Sequence, residues 1–492
     1  MTALTRIDEA GSTPLATGSL NGILRVLTCG SVDDGKSTLI GRLLWDASDL
    51  FDDQRATLER GRRIDGGHPD YSLLVDGLVA EREQGITIDI AWRYFDTATR
   101  RFVVIDSPGH EQYTRNMASG ASHADVAIML VDARAGIKKQ TRRHAAILDL
   151  VGLKRVVLAV NKMDLAGWSE PRFREIERDF KVIAARFHFD EAVAIPVSAA
   201  LGDNVARPSD SMEWYCGPTL LSHLESLPSR GAEAAGPFRM PVQTVLRQGV
   251  DFRGLAGTVS SGVIHVGDPV VDPVSGRAAN VKRIATFDGD LQRAAVGQAI
   301  VMQLDADIDV SRGAILAAAE GRPHPARDLS THLVWLSDTP FDTDNGYLLR
   351  TATDLVPVSA MEITSRLDLE TLAEHPASTC AANDIVLARI SLGRPTALDL
   401  FRNAGETGSF MLVDPISGAT VAGGVVTELA EAEPQGARKA GFFVLSRDNL
   451  EGGLCADLGW GAADQVEFRR RANEVALLLS AAGIAVELDL QS

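Results

Sequence analysis

The first chemically suggestive motif combines residue types that hold a phosphate group. It matches G-x-x-x-x-G-K-[ST] and comprises Gly30, Ser31, Val32, Asp33, Asp34, Gly35, Lys36 and Ser37. Glycines let backbone N–H groups approach a phosphate closely, Lys36 can reach the β- and γ-phosphates, and the Ser37 hydroxyl can ligate Mg²⁺. The motif follows the apolar run ILRVLTC and opens the stretch STLIGRLL. This strand-to-helix context favours a phosphate-binding loop over an ordinary glycine-rich turn.

A second motif supplies a carboxylate and a histidine that could take part in hydrolysis of the γ-phosphate. It follows the apolar run RFVVI and comprises Asp106, Ser107, Pro108, Gly109 and His110. We expect Asp106 to hold Mg²⁺ directly or through water, the Gly109 N–H to touch the γ-phosphate, and His110 to orient the attacking water. Alone, this pattern is equally typical of a plain turn.

A third motif predicts recognition of guanine. It follows the run RVVLAV and comprises Asn161, Lys162, Met163 and Asp164. The Asp164 carboxylate can accept hydrogen bonds from guanine N1–H and N2–H₂, a donor pair that adenine lacks. The Lys162 stem can lie along the base. The loop Ser198, Ala199, Ala200 fits a backbone N–H donor to guanine O6, although a plain loop is an equal alternative.

A fourth candidate for the site is Thr87, in the segment REQGITI. It lies between the phosphate loop and Asp106, where a mobile switch can bring a second hydroxyl to Mg²⁺ when the γ-phosphate is present. The alternative is a β-rich segment with no role at the nucleotide. In this order and spacing, the motifs together predict a site that binds GTP with Mg²⁺ and hydrolyses it, with Ser37, Thr87 and Asp106 as the magnesium ligands.

The pattern of apolar runs predicts the elements that position these motifs. Residues 22–235 alternate strand-like and helix-like stretches, which favours an α/β domain with a parallel, doubly wound sheet. Residues 236–327 and 328–434 carry short β-rich runs with turn residues, which predicts two β-barrels. The stretch EGRPHPARD is the expected connection between them. Residues 1–21 are expected to form a flexible arm, and residues 437–492 a short α/β appendage.

Composition limits the possible partners. The chain has 492 residues, a hydrophobic content of 45% and a net charge of −17. A protein whose main partner is RNA usually carries a basic excess, so we expect no nucleic acid partner. We find neither a signal peptide nor an unbroken apolar run of membrane-spanning length, and the four cysteines are widely spaced. We expect a cytoplasmic protein that does not associate with a membrane.

The motifs in this order resemble the translation-factor class of GTPases, which carry a GTPase domain followed by two β-barrels. Within that class the chain resembles the family of the large GTPase subunit of bacterial sulfate adenylyltransferase. The resemblance rests on stretches that include GSVDDGKSTLIGRLLWD, AEREQGITIDIAWRYF, DSPGHEQYTRNMASGAS, VDARAGIKKQTRRHAAI, DFRGLAGTVSSG and TGSFMLVDPISGATVAGG. These cover roughly residues 21–428.

The resemblance implies a partner and roles for further residues. In that family, GTP hydrolysis on the large subunit drives the small catalytic subunit to make adenosine 5′-phosphosulfate and pyrophosphate from ATP and sulfate. A heterodimer or higher assembly is therefore expected. By resemblance, Val32 and Ile86 form an apolar pair beside the attacking water, His110 orients that water, and Thr87 is the switch threonine.

The C-terminal residues resemble part of adenylylsulfate kinase. The stretches are FFVLSRDNLEGGL and ADLGWGAADQVEFRRRANEVALLLSAAGIAVELDL, which suggest a strand, a helix from a cap at Asp464 through Ala482, and a second strand. The chain contains no second G-x-x-x-x-G-K-[ST] motif, so we expect a remnant without kinase activity. An unrelated helical tail is the alternative.

Two other functions are compatible with the GTPase motifs. One is a translation GTPase that delivers aminoacyl-tRNA to ribosomes, which the acidic charge and the specific stretches disfavour. The other is a scaffold that binds nucleotide without turnover. The presence of Lys36, Ser37, Thr87, Asp106 and His110 argues against that scaffold.

Overall fold

A computed structural model describes most of the chain. The described residues are 22–47, 69–75, 89–228, 236–248, 252–430, 443–445, 462–481 and 486–488. The expected N-terminal arm and the segment that holds Ile86 and Thr87 lie outside these residues. Contacts divide the chain into two units, residues 1–430 and 431–492. None of the helices in the described ranges is long and apolar enough to cross a membrane.

The first domain is built on a six-stranded sheet. Its strands are β1 (Ile23–Gly30), β2 (Ala91–Asp96), β3 (Arg101–Asp106), β4 (Val126–Asp132), β5 (Arg155–Asn161) and β6 (Glu191–Pro196). They lie in the order β2-β3-β1-β4-β5-β6, and all neighbours are parallel except β2 and β3. The sheet is thus parallel, as predicted, apart from the antiparallel strand β2 at its edge. The link from β2 to β3 is residues 97–100, too short for a crossover to a parallel strand.

Helices cover both faces of this sheet. They are α1 (Lys36–Ala47), α2 (Thr114–Ser122), α3 (Lys139–Leu150), α4 (Glu170–Ala184) and α5 (Leu220–Ser226). Buried residues of α1 and α5 share one apolar cluster with the sheet, and those of α2, α3 and α4 share another. Every residue of β4 is buried, as expected for a central parallel strand covered on both faces. The sheet is thus a rigid base for the loops at its carboxyl edge.

The second domain is a six-stranded closed barrel. The strands of this region are β7 (Arg239–Gln248), β8 (Phe252–Thr258), β9 (Val263–His265), β10 (Pro269–Val271), β11 (Ala278–Thr286), β12 (Gly289–Leu291), β13 (Arg293–Ala295), β14 (Ala299–Leu304) and β15 (Ile315–Ala318). The order β10-β15-β7-β8-β14-β11 closes where β10 pairs with β11. Strand β12 extends β11, while β9 and β13 pair with each other.

The third domain is a second closed barrel. Its strands are β16 (His324–Trp335), β17 (Tyr347–Arg350), β18 (Leu355–Leu367), β19 (Glu374–Pro376), β20 (Ile385–Leu398), β21 (Ser409–Val413) and β22 (Thr420–Leu429). The order β17-β21-β22-β16-β20-β18 closes where β17 pairs with β18. The predicted boundary between residues 327 and 328 falls inside β16. The barrel begins at His324, so the second half of EGRPHPARD belongs to a strand rather than to a linker.

The second barrel packs against the first domain and the first barrel. Val334, Ile385 and Val425 belong to the apolar cluster that contains α2, α3 and α4. A buried, two-pronged ion pair joins the barrels, with Arg239 Nε and Nη2 at 2.9 and 3.0 Å from the Asp399 carboxylate. These contacts combine the three domains into one compact unit.

The C-terminal unit is a strand, a helix and a strand. It comprises β23 (Phe443–Leu445), α6 (Ala462–Ala481) and β24 (Val486–Leu488), and the two strands are parallel. The helix begins two residues before Asp464, so the predicted cap residue lies within the first turn instead. Phe468 and Ala472 are buried.

Candidate nucleotide-binding site

The predicted site residues gather at the carboxyl edge of the central sheet. The phosphate-loop motif follows β1, Asp106 ends β3, Asn161 ends β5, and Ser198 follows β6. Because these strands are parallel, their carboxyl ends meet at one edge, where α/β sheets commonly bind ligands. The structure therefore brings together motifs that lie up to about 170 residues apart in the sequence.

The phosphate loop is held by its own aspartate. The buried Asp34 carboxylate accepts a hydrogen bond from the Ser31 backbone N–H at 2.8 Å through Oδ2. Its Oδ1 pairs with the Lys138 ammonium group at 2.9 Å. Gly35 has a φ of +94°, and a Cβ there would collide with the Asn161 side chain. The loop shape is thus fixed by contacts within the protein, which lowers the ordering cost of binding a phosphate.

Lys36 lies at the centre of the predicted phosphate site. Its ammonium group donates to the carbonyl oxygens of Gly30 and Ser31 at 3.0 and 3.1 Å. Gly109 passes so close that an added Cβ would collide with Lys36 Nζ and lie 2.6 Å from the Gly30 oxygen. Burial lowers the pKa of Lys36, while the charges of Asp106 and Asp34 oppose that shift. The second motif therefore reaches the first in space, as predicted.

Asp106 offers a buried carboxylate beside this lysine. It is 1% exposed, and its Oδ1 accepts a hydrogen bond from the Thr28 hydroxyl at 3.2 Å. Ser37, in the first turn of α1, is half-buried. A carboxylate and a hydroxyl are hard oxygen donors, the type that Mg²⁺ prefers. The donor set fits magnesium, although Thr87 lies outside the described residues and no cluster of three acidic, cysteine or histidine side chains occurs in the described ranges.

His110 is exposed at the start of a one-turn helix, Glu111–Tyr113. Its Nδ1 accepts a hydrogen bond from the Gln112 backbone N–H at 3.3 Å. A backbone N–H can only donate, so Nδ1 is the acceptor in this contact. Pro108 and Ser107 are buried, and the Ser107 hydroxyl donates to the Thr28 carbonyl at 2.7 Å. The histidine is thus presented from an anchored strand end.

The predicted guanine motif is bonded directly to the phosphate loop. The Asn161 Nδ2 donates to the Asp34 carbonyl at 2.9 Å, and the Lys162 ammonium donates to the Asp33 carbonyl. The buried Met163 lies beneath them in the core of the sheet. The sequence did not predict these hydrogen bonds. They join the phosphate loop and the predicted guanine motif into one polar network.

The loop after β6 orients Asp164. The buried Ser198 hydroxyl donates to Asp164 Oδ1 at 2.7 Å. The backbone N–H groups expected to face guanine are used inside the protein, because Ser198 N donates to Asp203 O at 3.1 Å and Ala199 N donates to Asn161 Oδ1 at 2.9 Å. Of the three loop residues predicted for guanine O6, this leaves the Ala200 amide.

Three charged residues near the site have no motif to reveal them in the sequence. Lys138 pairs with Asp34 from 104 residues away. Asp132, at the end of β4, lies 3.3 Å from the Lys162 ammonium and accepts two bonds from the Arg134 guanidinium at 3.0 and 2.6 Å. Burial alone would raise the pKa of Asp132, but the bonds from Arg134 and the charge of Lys162 hold it far below its ordinary value. The sequence offered two signals, since Asp132 ends a strand-like run and all three residues lie in VDARAGIKKQTRRHAAI, one of the stretches that carry the family resemblance.

Family models match two parts of the chain. Residues 21–248 match the elongation factor Tu GTP binding domain, and residues 328–427 match the GTP-eEF1A C-terminal domain-like family. The first match contains all the site residues described above. The chain therefore carries a GTP-binding domain of the elongation factor Tu type.

Relatives align with most of the chain. Sulfate adenylyltransferase subunit 1 of Chromobacterium violaceum is 45% identical over 87% of this chain and 91% of its own. The same subunit of Methylorubrum extorquens is 45% identical over 89% of this chain and 94% of its own. The bifunctional enzyme NodQ of Rhizobium sp. is 42% identical over 96% of this chain and 80% of its own.

Proposed function

Because the chain belongs to the GTPase subunit 1 family of sulfate adenylyltransferase, we propose that its site binds GTP with Mg²⁺ and hydrolyses the γ-phosphate. One observation carries this proposal. Lys36, Gly109 and Asp106 converge at the phosphate loop, while Asn161 bonds to the same loop from the guanine motif. One edge of the sheet thus offers groups for the phosphates and for the base.

Each phosphate-side residue has a chemical role in this proposal. Lys36 and the phosphate-loop N–H groups neutralise the β- and γ-phosphates. Ser37, Asp106 and Thr87 would hold the magnesium ion, which when bound offsets charge on the phosphate oxygens. The Gly109 N–H donates to the γ-phosphate, and His110 orients the attacking water through its imidazole ring.

The base-side residues select guanine. Asp164, oriented by Ser198, accepts the guanine N1–H and N2–H₂ donors, and the Ala200 N–H donates to O6. Lys162 lays its stem against the base while its ammonium stays bonded to the loop and near Asp132. Adenine would leave the half-buried Asp164 carboxylate with the Ser198 hydroxyl as a donor but without the two donors of guanine.

The relatives named subunit 1 support a partner subunit. We infer that this partner is the small catalytic subunit, which forms adenosine 5′-phosphosulfate and pyrophosphate from ATP and sulfate. GTP hydrolysis on this chain would drive that uphill reaction in a cytoplasmic heterodimer or higher assembly. The net charge of −17 fits a protein partner better than a nucleic acid.

The alternative of RNA delivery has no comparable support. It shares the GTP-binding domain, but the three relatives described above, which cover most of this chain, are two subunit 1 proteins and a NodQ enzyme. Tight, GTP-dependent retention of aminoacyl-tRNA in a filter-binding assay would support that alternative instead.

For the C-terminal unit, we propose a kinase-like remnant without phosphotransfer activity. The NodQ alignment extends over more of this chain than the subunit 1 alignments do, which supports an origin in a fused enzyme. The given sequence lacks a second G-x-x-x-x-G-K-[ST] motif, the type of loop that commonly cradles ATP phosphates.

The decisive experiment combines the purified chain with the small subunit. We expect the two to co-purify and to form adenosine 5′-phosphosulfate at a rate that depends on GTP and Mg²⁺. A matched control replaces GTP with a non-hydrolysable analogue, which should bind without supporting continued product formation. Equal product formation without GTP would contradict the proposed coupling, and no phosphate release from GTP would contradict the GTPase itself.

A further inference from the structure

The segment that carries His110 is exposed between two anchors. Its start is fixed where the Ser107 hydroxyl donates to the Thr28 carbonyl, and its end is fixed where α2 begins. Residues 110–112 between these anchors are exposed to solvent. A short segment with little buried surface opens easily unless another contact holds it.

One side chain of this segment reaches a different element. Glu111 Oε1 lies 2.7 Å from the Arg143 Nη2 atom of α3. The Arg143 side chain is 8% exposed, whereas that of Glu111 is 57% exposed. The hydrogen bond from Arg143 is the largest cause that lowers the pKa of Glu111, so the carboxylate stays charged at neutral pH.

The arginine is held rigidly in its own helix. Arg143 Nη1 donates to Gln140 Oε1 at 2.9 Å, and Nε has no hydrogen-bond partner within the described ranges. The neighbouring residues His144, Ala145, Ile147 and Leu148 are buried in the domain core. Because a buried guanidinium without a counter-charge is costly, Glu111 is bound more firmly than in a surface pair.

We propose that Arg143 is a positioning residue for GTP hydrolysis, which holds the His110 segment in place through Glu111. This inference rests on the proposed function, because that function gives His110 the role of orienting the attacking water. Arg143 acts through Glu111 and the one-turn helix that His110 caps, not on the nucleotide. Loss of the ion pair should therefore slow hydrolysis and leave GTP affinity nearly unchanged.

A double-mutant cycle in the full chain tests this inference. The variants are Glu111→Gln, Arg143→Gln and the double variant, measured by single-turnover GTP hydrolysis and by GTP affinity. We expect each single variant to lower the rate about tenfold with affinity within about twofold, and the double variant to be no slower than the singles. Arg143→Lys, which keeps the charge, should retain more activity than Arg143→Gln.

The matched control is Glu170→Gln, which removes an exposed ion pair with Arg174 on α4. It should leave the rate unchanged. Wild-type rates in both single variants, or losses that add up in the double variant, would overturn the inference.

A second readout separates this inference from the proposed function. Amide hydrogen exchange across residues 108–114 should be faster in Glu111→Gln than in the parent chain, at equal overall stability. If the parent chain failed to hydrolyse GTP, the proposed function would fall, while the exchange result would still decide whether the ion pair holds the segment. Unchanged exchange would overturn the positioning role.

Discussion

The substitution Asp164→Asn should reverse the preference between GTP and XTP. The structure fixes one end of the new amide, because the Ser198 hydroxyl donates to Oδ1 at 2.7 Å and therefore favours the amide oxygen there. The NH₂ group then replaces Oδ2 and faces the base. With guanine, one charge-assisted hydrogen bond is lost, and the new amide NH₂ faces guanine N2–H₂. Two donors then oppose each other without an acceptor. Xanthine carries a carbonyl at that position and accepts the new donor.

The size of the effect follows from the bonds exchanged. A hydrogen bond to a charged group contributes about 1.5–3 kcal/mol, and a buried donor without an acceptor costs about 1–3 kcal/mol. A combined loss of about 2.5–6 kcal/mol weakens GTP binding by about 60- to 20,000-fold, since 1.4 kcal/mol is tenfold. Binding of XTP should strengthen, because the carboxylate no longer repels its carbonyl.

Calorimetry with GTP and XTP, each with Mg²⁺, measures both effects on one protein. Asp179→Asn, an exposed position on α4, is the matched control and should keep the preference for GTP. Ser198→Ala should weaken GTP binding by about tenfold, since it removes one bond to a charged group. An Asp164→Asn protein that still preferred GTP would refute the assignment of the guanine site.

Four further predictions concern the phosphate site and the stability of the chain. Lys36→Ala should reduce GTP affinity at least about 100-fold by calorimetry, because the phosphates lose their buried counter-charge; unchanged binding would refute its role. His110→Ala should slow single-turnover hydrolysis while affinity stays within about twofold. Arg239→Met leaves Asp399 buried and unpaired, a loss of about 3–5 kcal/mol that should lower the thermal midpoint, and adding Asp399→Leu should restore most of it. Burial lowers the pKa of His144 from 6.5 to about 3. As the pH falls below about 6.5, this histidine therefore gains a proton only in the unfolded chain, and the stability of the fold declines. His144→Gln should make the urea midpoint less dependent on pH between pH 7 and 5.

The sequence predicted those parts of the site that depend on contiguous residues. The phosphate loop needs a glycine-rich turn between one strand and one helix, and both are encoded within 25 residues, from Ile23 to Ala47. The strands that present Asp106 and Asn161 are continuous apolar runs. The closure of both barrels was likewise expected from the repeated short strands.

The sequence could not predict features that depend on pairing between distant segments. The antiparallel edge strand β2 has alternating exposure, which a parallel interior strand lacks, but its pairing partner is decided by the short link to β3. The contacts from Lys138 to Asp34 and from Arg143 to Glu111 depend on where α3 packs against the sheet. Charged residues on a helix face give no sign of their partner until the helix is placed.

In the proposed GTP site, these distant contacts make recognition of the base and binding of the phosphates parts of one framework. Asn161 bonds both to the Asp34 carbonyl of the phosphate loop and, through Oδ1, to the Ala199 amide of the guanine loop. A base that does not fit the guanine loop therefore also displaces the phosphate loop, to which Asn161 is bonded. On this argument a mismatched base costs more than its own hydrogen bonds, because a network that shares members loses several bonds together. Asn161→Ala should accordingly weaken binding of GTP and of free triphosphate alike, and a loss confined to the nucleotide with guanine would contradict this coupling.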